Sequence, residues 1–213
     1  MGHIEKGILG GFSGKVGPVV GANWRGIDVI RSKPKKSKRA ATEAQLEQQA
    51  KFGIVVRFLA PLKKFITRFY GVTSGFRSRA NLATSYHIRE AIMGTYPNFS
   101  MNYPKVVISK GELLGVEELQ VVPGDGGELD FSWFDNSGNG LAKPEDNLIV
   151  VLYEESTDSL RIIEKAAKRS EEAFNTILPA FYTGLKVHCW ITFASADAKI
   201  VANSVYMGEI LIG

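Results

Sequence analysis

The chain has 213 residues, 45% of them hydrophobic, which is enough apolar material for a real core and excludes disorder along its whole length. A single cysteine, Cys189, excludes an internal disulfide, and no apolar run approaches the roughly 18 residues of a membrane helix, so the sequence reads as cytoplasmic and membrane-free. The net charge of +4 conceals a division: residues 1–110 hold 19 Lys and Arg against 5 Asp and Glu, and residues 111–213 hold 7 against 17, so the halves carry +14 and −10.

The opening segment is punctuated by Gly7, Gly10, Gly11, Gly14, Gly17 and Gly21 among Ile8, Leu9, Phe12, Val16, Val19 and Val20. Those glycines break a signal-peptide core and disfavour helix and strand alike, which predicts an extended or turn-rich arm that gains order by packing on something else. Ile27, Val29 and Ile30 follow as a short edge strand, then a basic loop from Arg31 to Arg39 in which Pro34 rules out a helix. Thr42 with Gln45 forms a capping-box signature, and Leu46, Ala50, Ile54 and Phe58 recur at helical spacing, so a helix starts near Glu43. Pro61 kinks or restarts it before Leu62, Phe65, Ile66 and Phe69, and a second helix is expected from Arg79 to Met93, closed by Gly94.

From Tyr103 onward, short β-rich runs alternate with Gly, Pro, Asn and Asp: Lys105–Ser109, Val116–Val122, Glu128–Phe134, Leu148–Tyr153, Leu160–Glu164, Phe174–Ile177, Leu185–Ala194 and Ser204–Ile210. In the longest run Leu185, Val187, Cys189, Ile191 and Phe193 face one way, and Lys186, His188, Trp190 and Thr192 the other, which predicts one core face and one wet face. The fold class is therefore α+β: a Gly-rich arm and basic loop (1–41), a helical region (42–102) and a C-terminal antiparallel β-sandwich (103–213).

Each motif has a plain structural reading beside its chemical one. Gly10–Lys15 is one residue short of a phosphate loop and has Val16 where a magnesium-binding hydroxyl belongs, and Lys15 breaks a nucleophile elbow at Ser13. Asp135 to Asp146 fits a calcium loop in part, but it offers two carboxylates, contains Lys143 and joins strands, so a polar loop is the better reading. His3, His87 and His188 lack metal-ligand spacing, Cys189 is expected inside the core, and Glu117-Glu118, Glu154-Glu155 and Glu171-Glu172 are neighbours whose carboxylates diverge in a strand. No cofactor and no enzymatic activity are expected. The basic stretch Arg31, Lys33, Lys35, Lys36, Lys38 and Arg39 admits three readings: a solvated loop, a dock for an acidic protein surface such as that of a neighbouring copy, or, with Trp24, a nucleic-acid contact. Trp190, Phe134 and Tyr182 form a candidate contact surface, with helical cover by Phe52, Phe58, Phe65 and Phe69 the favoured alternative for Trp190.

Leu129, Phe131 and Trp133 on an early strand, Leu178-Pro179 before Gly184, and Ser204-Val-Tyr-Met-Gly208 resemble the corresponding parts of a fibronectin type III or immunoglobulin-like domain, with Leu185 departing near a customary tyrosine. Gly10-Gly-Phe-Ser-Gly-Lys-Val-Gly17, Trp24-Arg-Gly26, Ile30-Arg-Ser-Lys-Pro34, Thr42-Glu-Ala-Gln45, Ala91-Ile-Met-Gly94 and Ser109-Lys-Gly-Glu-Leu113 resemble a Bacteroidota family of unknown function along nearly the whole chain. Neither resemblance implies an activity. The expectation is a structural or interaction protein that associates with itself or another protein. A nucleic-acid-binding protein comes second, and a carbohydrate- or peptide-binding module using the sandwich loops and Trp190 third.

Overall fold

The computed structural model describes residues 2–4 through their backbone, and residues 10–24, 26–35, 39–73, 75 and 77–213 in full. The chain divides into two units, Met1–Gln45 and Leu46–Gly213, each taken by itself. The protein is mixed α+β and mostly antiparallel β.

The first unit corrects the expected arm. β1 (Gly2–Ile4), β2 (Phe12–Val16), β3 (Val19–Trp24) and β4 (Ile27–Ser32) form an antiparallel meander in sequence order, with β4 at one edge as the alternation predicted. The glycines serve the sheet instead of preventing it. Gly17 has φ +55° in the two-residue turn between β2 and β3, a conformation costly for other residues, and a Cβ on Gly21 would collide with the Phe12 carbonyl across the ladder.

α1 (Glu43–Leu59), which starts three residues before the second unit and runs on into it, begins at the predicted capping box: the Thr42 amide donates to Gln45 Oε1 at 3.0 Å, and the Gln45 amide donates to Thr42 Oγ1 at 3.4 Å. The helix stops before Pro61, and α2 (Lys63–Phe69) restarts beyond it. α3 (Arg79–Glu90) is capped by Ser78 and ends earlier than expected, because Ile92–Thr95 (β5) pairs with Asn98–Met101 (β6) as a hairpin. Gly94 lies inside that hairpin at φ +93°, where a Cβ would strike the Asn98 carbonyl.

Seven of the eight expected C-terminal strands form. β7 (Glu117–Pro123), β8 (Glu128–Phe134) and β11 (Ala173–Ile177) make a sheet of order β11-β8-β7, and β9 (Asn147–Glu154), β10 (Ser159–Ile163), β12 (Lys186–Ala194) and β13 (Val205–Leu211) make one of order β10-β9-β12-β13. The expected strand Lys105–Ser109 does not form, since the backbone there bonds to side chains and isolated partners: the Ile108 amide donates to Ser204 Oγ at 2.9 Å, and the Lys110 amide to the Phe69 carbonyl at 2.9 Å.

Two buried clusters meet at β9 and β12. Leu148, Val150 and Leu152 of β9 with Val187, Cys189, Ile191 and Phe193 of β12 join Leu129, Phe131 and Trp133 of β8. The alternate residues Ile149, Val151, Tyr153 and Trp190 join Val55, Phe58, Phe65 and Phe69 of the helices. The wet face predicted for β12 is therefore covered, and its residues from Val187 to Ala194 are all buried. At about 1.5–3 kcal/mol for each fully buried large apolar side chain, both faces hold the register, because a one-residue slip exchanges them.

Candidate functional site

The sequence-predicted residues fall in two places. Trp24 ends β3, Arg31 lies in β4, and Lys33, Lys35 and Arg39 follow, all of them exposed; Lys36 and Lys38 lie outside the described residues. Cross-strand pairing sets Trp24 opposite Ile27, Ala22 opposite Val29, and Val20 between Lys15 and Arg31, so these side chains share one face of the meander. That face carries Trp24, Ile27 and Val29 at 50%, 45% and 37% exposure, with Lys15 and Arg31 at its far end. Trp24 and Arg31 stand at opposite ends of the hairpin, about 13 Å apart at four strand residues of separation, so the fold does not bring the tryptophan to the basic stretch. Asn23 secures the turn between them, accepting from the Gly26 amide at 3.0 Å and donating to Asp28 at 2.8 Å.

No described hydrophobic side chain of Met1–Gln45 is buried, and every side chain of β4 is exposed. A sheet of three or more strands normally needs one apolar face covered, so this one carries apolar surface beyond what its own residues bury.

Trp190, by contrast, is fully buried, which settles its alternatives in favour of helical cover: its indole donates to the Val106 carbonyl at 3.2 Å, and Phe58 lies 6.2 Å away. The cover uses Phe58, Phe65 and Phe69, whereas Phe52 stays 53% exposed. The contact surface expected around Trp190 does not exist, and the binding-module reading loses its aromatic. Tyr182 is buried too, its hydroxyl 3.0 Å from Ser159 Oγ, while Phe134 is 53% exposed as expected.

Phe134 belongs to the second exposed surface, which sequence reasoning missed. Register places Phe134 beside Glu117, Asp130 between Val122 and Asn175, and Ile177 beside Glu128, all on the outward face of the sheet β11-β8-β7. Val122, Phe134 and Ile177 are 55%, 53% and 65% exposed among those carboxylates, and none of these three strands contains Lys or Arg. The signal was present as alternation in β8, where Leu129, Phe131 and Trp133 point inward and leave Glu128, Asp130, Ser132 and Phe134 outside.

The remaining motifs serve the fold. Asp146, the last position of the calcium-like loop, is 1% exposed and holds the guanidinium of buried Arg169 at 3.2 Å, so its carboxylate is committed. Arg169 also donates to Asn136 Oδ1 at 2.7 Å and to the Leu114 carbonyl at 2.8 Å. Cys189 is buried and burial pushes its thiol above the ordinary value, the opposite of an activated nucleophile. His87 donates through Nδ1 to the Ala83 carbonyl at 2.8 Å and accepts at Nε2 from the Val107 amide at 3.3 Å, an assignment fixed by the partners available. Among the described residues, no group of three or more His, Cys, Asp and Glu is placed to hold a metal ion, and no helix is long and apolar enough to cross a membrane.

These features define a mixed α+β protein, mostly antiparallel β, with a basic apolar-striped sheet in its first unit and an acidic apolar-studded sheet in its second. The profile of a family of unknown function, DUF6266, matches residues 11–208, and the chain belongs to that family. A search of the curated proteins found no match.

Proposed function

We propose that the chain is a non-enzymatic structural protein that assembles head to tail, the basic meander of one copy docking on the acidic sheet β11-β8-β7 of the next. The observation that carries this reading is the meander itself, a four-stranded sheet in which no described hydrophobic side chain is buried. The two faces are matched in chemistry. One offers Trp24, Ile27 and Val29 with Lys15 and Arg31, the other Val122, Phe134 and Ile177 with Glu117, Glu128 and Asp130. A contact between two different patches propagates, so its products are rings or filaments and not closed two-fold dimers.

The second unit is read as a fibronectin-like sandwich. In its support, the three-strand and four-strand sheets are wholly antiparallel, share one buried cluster, and exchange the chain between them in the manner of that fold. Leu178, Pro179 and buried Tyr182 precede β12, which supplies near the start of that strand the tyrosine that Leu185 does not. We read the chain as cytoplasmic and of Bacteroidota origin, on its opening motifs and its single buried cysteine.

Light scattering behind size-exclusion chromatography tests the assembly. The full chain is expected to form oligomers that shrink at high salt, because the two charged faces are screened. Arg31→Glu with Lys33→Glu disables one face and Asp130→Lys the other. Each variant alone is expected to be monomeric, and an equimolar mixture to recover a dimer through the one intact pair of faces. A wild-type monomer at millimolar concentration in low salt overturns the reading, and salt-sensitive retention on single-stranded oligonucleotides by that monomer assigns the basic stretch to nucleic acid instead.

A further inference from the structure

A cleft of about 290 Å³ opens within the second unit, lined by residues outside the sheet β11-β8-β7. Its walls are aromatic. Phe58, Tyr103 and Tyr153 are buried to within 8% of full cover, and Phe99 closes one side. Phe58 meets Tyr153 edge-on at 5.3 Å and Tyr103 at 6.0 Å, and Tyr103 stacks on His188 at 3.7 Å, so the rings are fixed against one another and border the cleft with what these contacts leave uncovered. At the rim stand the exposed carboxylates Glu155 and Asp158, from the turn joining β9 to β10.

The tyrosines hold this rim in place. The Tyr153 hydroxyl donates to Asp158 Oδ1 at 2.9 Å, and burial together with Glu155 keeps the Tyr103 phenol protonated, above its ordinary value. Asp158 sits at φ +53°, a backbone conformation that Asp and Asn tolerate better than most residues. Among the lining residues Arg57 stands against two carboxylates, and the Lys51 ammonium beside Phe99 is paired with Glu47 at 2.6 Å.

We propose that this cleft binds the head of a small organic cation, an alkylammonium or guanidinium group, with the ring faces as its walls and Glu155 and Asp158 as its counter-charge. Aromatic faces attract cations within about 6 Å of the ring centre, most strongly where water is excluded. The protein already uses one of these rings in that way: the ammonium of Lys51 lies 4.9 Å from the centre of Phe99. The volume falls at the lower limit of ordinary ligand sites, which run from about 300 Å³ upward, and so admits a short amine or one side chain while excluding a nucleotide. The cation is either a free amine or a lysine or arginine side chain presented by a partner.

Titration of the isotope-labelled full chain, followed by amide resonances, tests the site with butylammonium, N-acetyl-lysine amide, butanol and acetate. The two cations are expected to shift the resonances of Phe99, Tyr153 and Asp158, and butanol and acetate to leave them unmoved. Glu155→Gln with Asp158→Asn, which keeps the Tyr153 hydrogen bond and suits the backbone, is expected to weaken cation binding about tenfold. Arg57→Gln is expected to strengthen it by removing a like charge. Tighter binding of N-acetyl-lysine amide marks a partner's side chain as the source, and tighter binding of butylammonium marks a free amine. Equal binding of butanol, acetate binding that Arg57→Gln abolishes, or no shift with either cation overturns the proposal. None of these outcomes depends on whether the chain self-assembles.

Discussion

Arg169 and Tyr70 are both buried polar residues, and they predict opposite responses to substitution. Arg169 is fully enclosed, paired with Asp146 and further bonded to Asn136 and the Leu114 carbonyl, with its guanidinium 4.7 Å from the centre of the Phe193 ring. Replacing it by Met leaves Asp146 as an uncompensated buried charge, so urea denaturation is expected to show a loss of about 3–5 kcal/mol. The Tyr70 hydroxyl is buried with no hydrogen-bond partner among the described residues. Tyr70→Phe deletes a desolvated group that makes no bond, and is expected to be neutral or to stabilise by about 1 kcal/mol in the same assay. His87 adds a pH dependence. Burial pulls it below its ordinary value of 6.5, against the opposing bond to Ala83. Below pH 6.5 the unfolded chain therefore takes up a proton that the folded chain resists, so stability is complete above that pH and falls beneath it, by at most about 1.4 kcal/mol per pH unit. His188 shifts the same way and adds to the effect, and in His87→Gln the slope of melting temperature against pH below 6.5 is expected to be shallower. Cys189 was legible as a core residue from strand alternation alone. Arg169 was not, because a basic residue following Lys165 and Lys168 reads as solvated until folding supplies Asp146 from 23 positions upstream.

The elements divide by whether their signal is local. The C-terminal strands were legible because β-rich runs, alternating in β8 and β12 and continuously apolar in β9, stand between turn signals, and α1 because Thr42 and Gln45 sit three apart before an apolar series. The meander was not, because glycine lowers the propensity of every element and its use at Gly17 and Gly21 appears only once strands are paired. The hairpin β5–β6 was hidden for another reason: Met93 continues the helical spacing of α3 across the point where the backbone turns. The missing strand at Lys105–Ser109 is a connecting segment pinned between the helices and β13, and Gly111 is its tightest point. A Cβ there would run into the Val201 carbonyl, so Gly111→Ala is expected to cost about 1–3 kcal/mol in a thermal or urea melt.

At the scale of the molecule, packing divides the chain after Gln45, whereas charge divides it after residue 110. Among the described residues, both buried apolar clusters are made of residues of Leu46–Gly213, from Val55 to Ile212. A chain beginning at Ala41, which retains the capping residues of α1, is therefore expected to unfold cooperatively at a melting temperature close to that of the full chain, while losing the salt-dependent oligomers. The sequence showed a charge division, +14 against −10, but this lies at residue 110, inside the second unit, because the helical segment is basic as well. The exposed face of the acidic sheet was not visible, since it sets Ile177 of β11 beside the carboxylates of β7 and β8 only after β9 and β10 have intervened in the chain.

The two-sided burial of β9 and β12 also sets an order of events. Helices of 17, 7 and 12 residues are marginal by themselves in water, and their apolar sides have nothing to rest on until Val151, Tyr153 and Trp190 are presented together. That presentation requires β9 to find β12 across the whole β10–β11 excursion, a long loop whose closure precedes any reward. The helices thus leave a ribosome before the floor they rest on, and the native helical layer is secured only once strands made after it have paired.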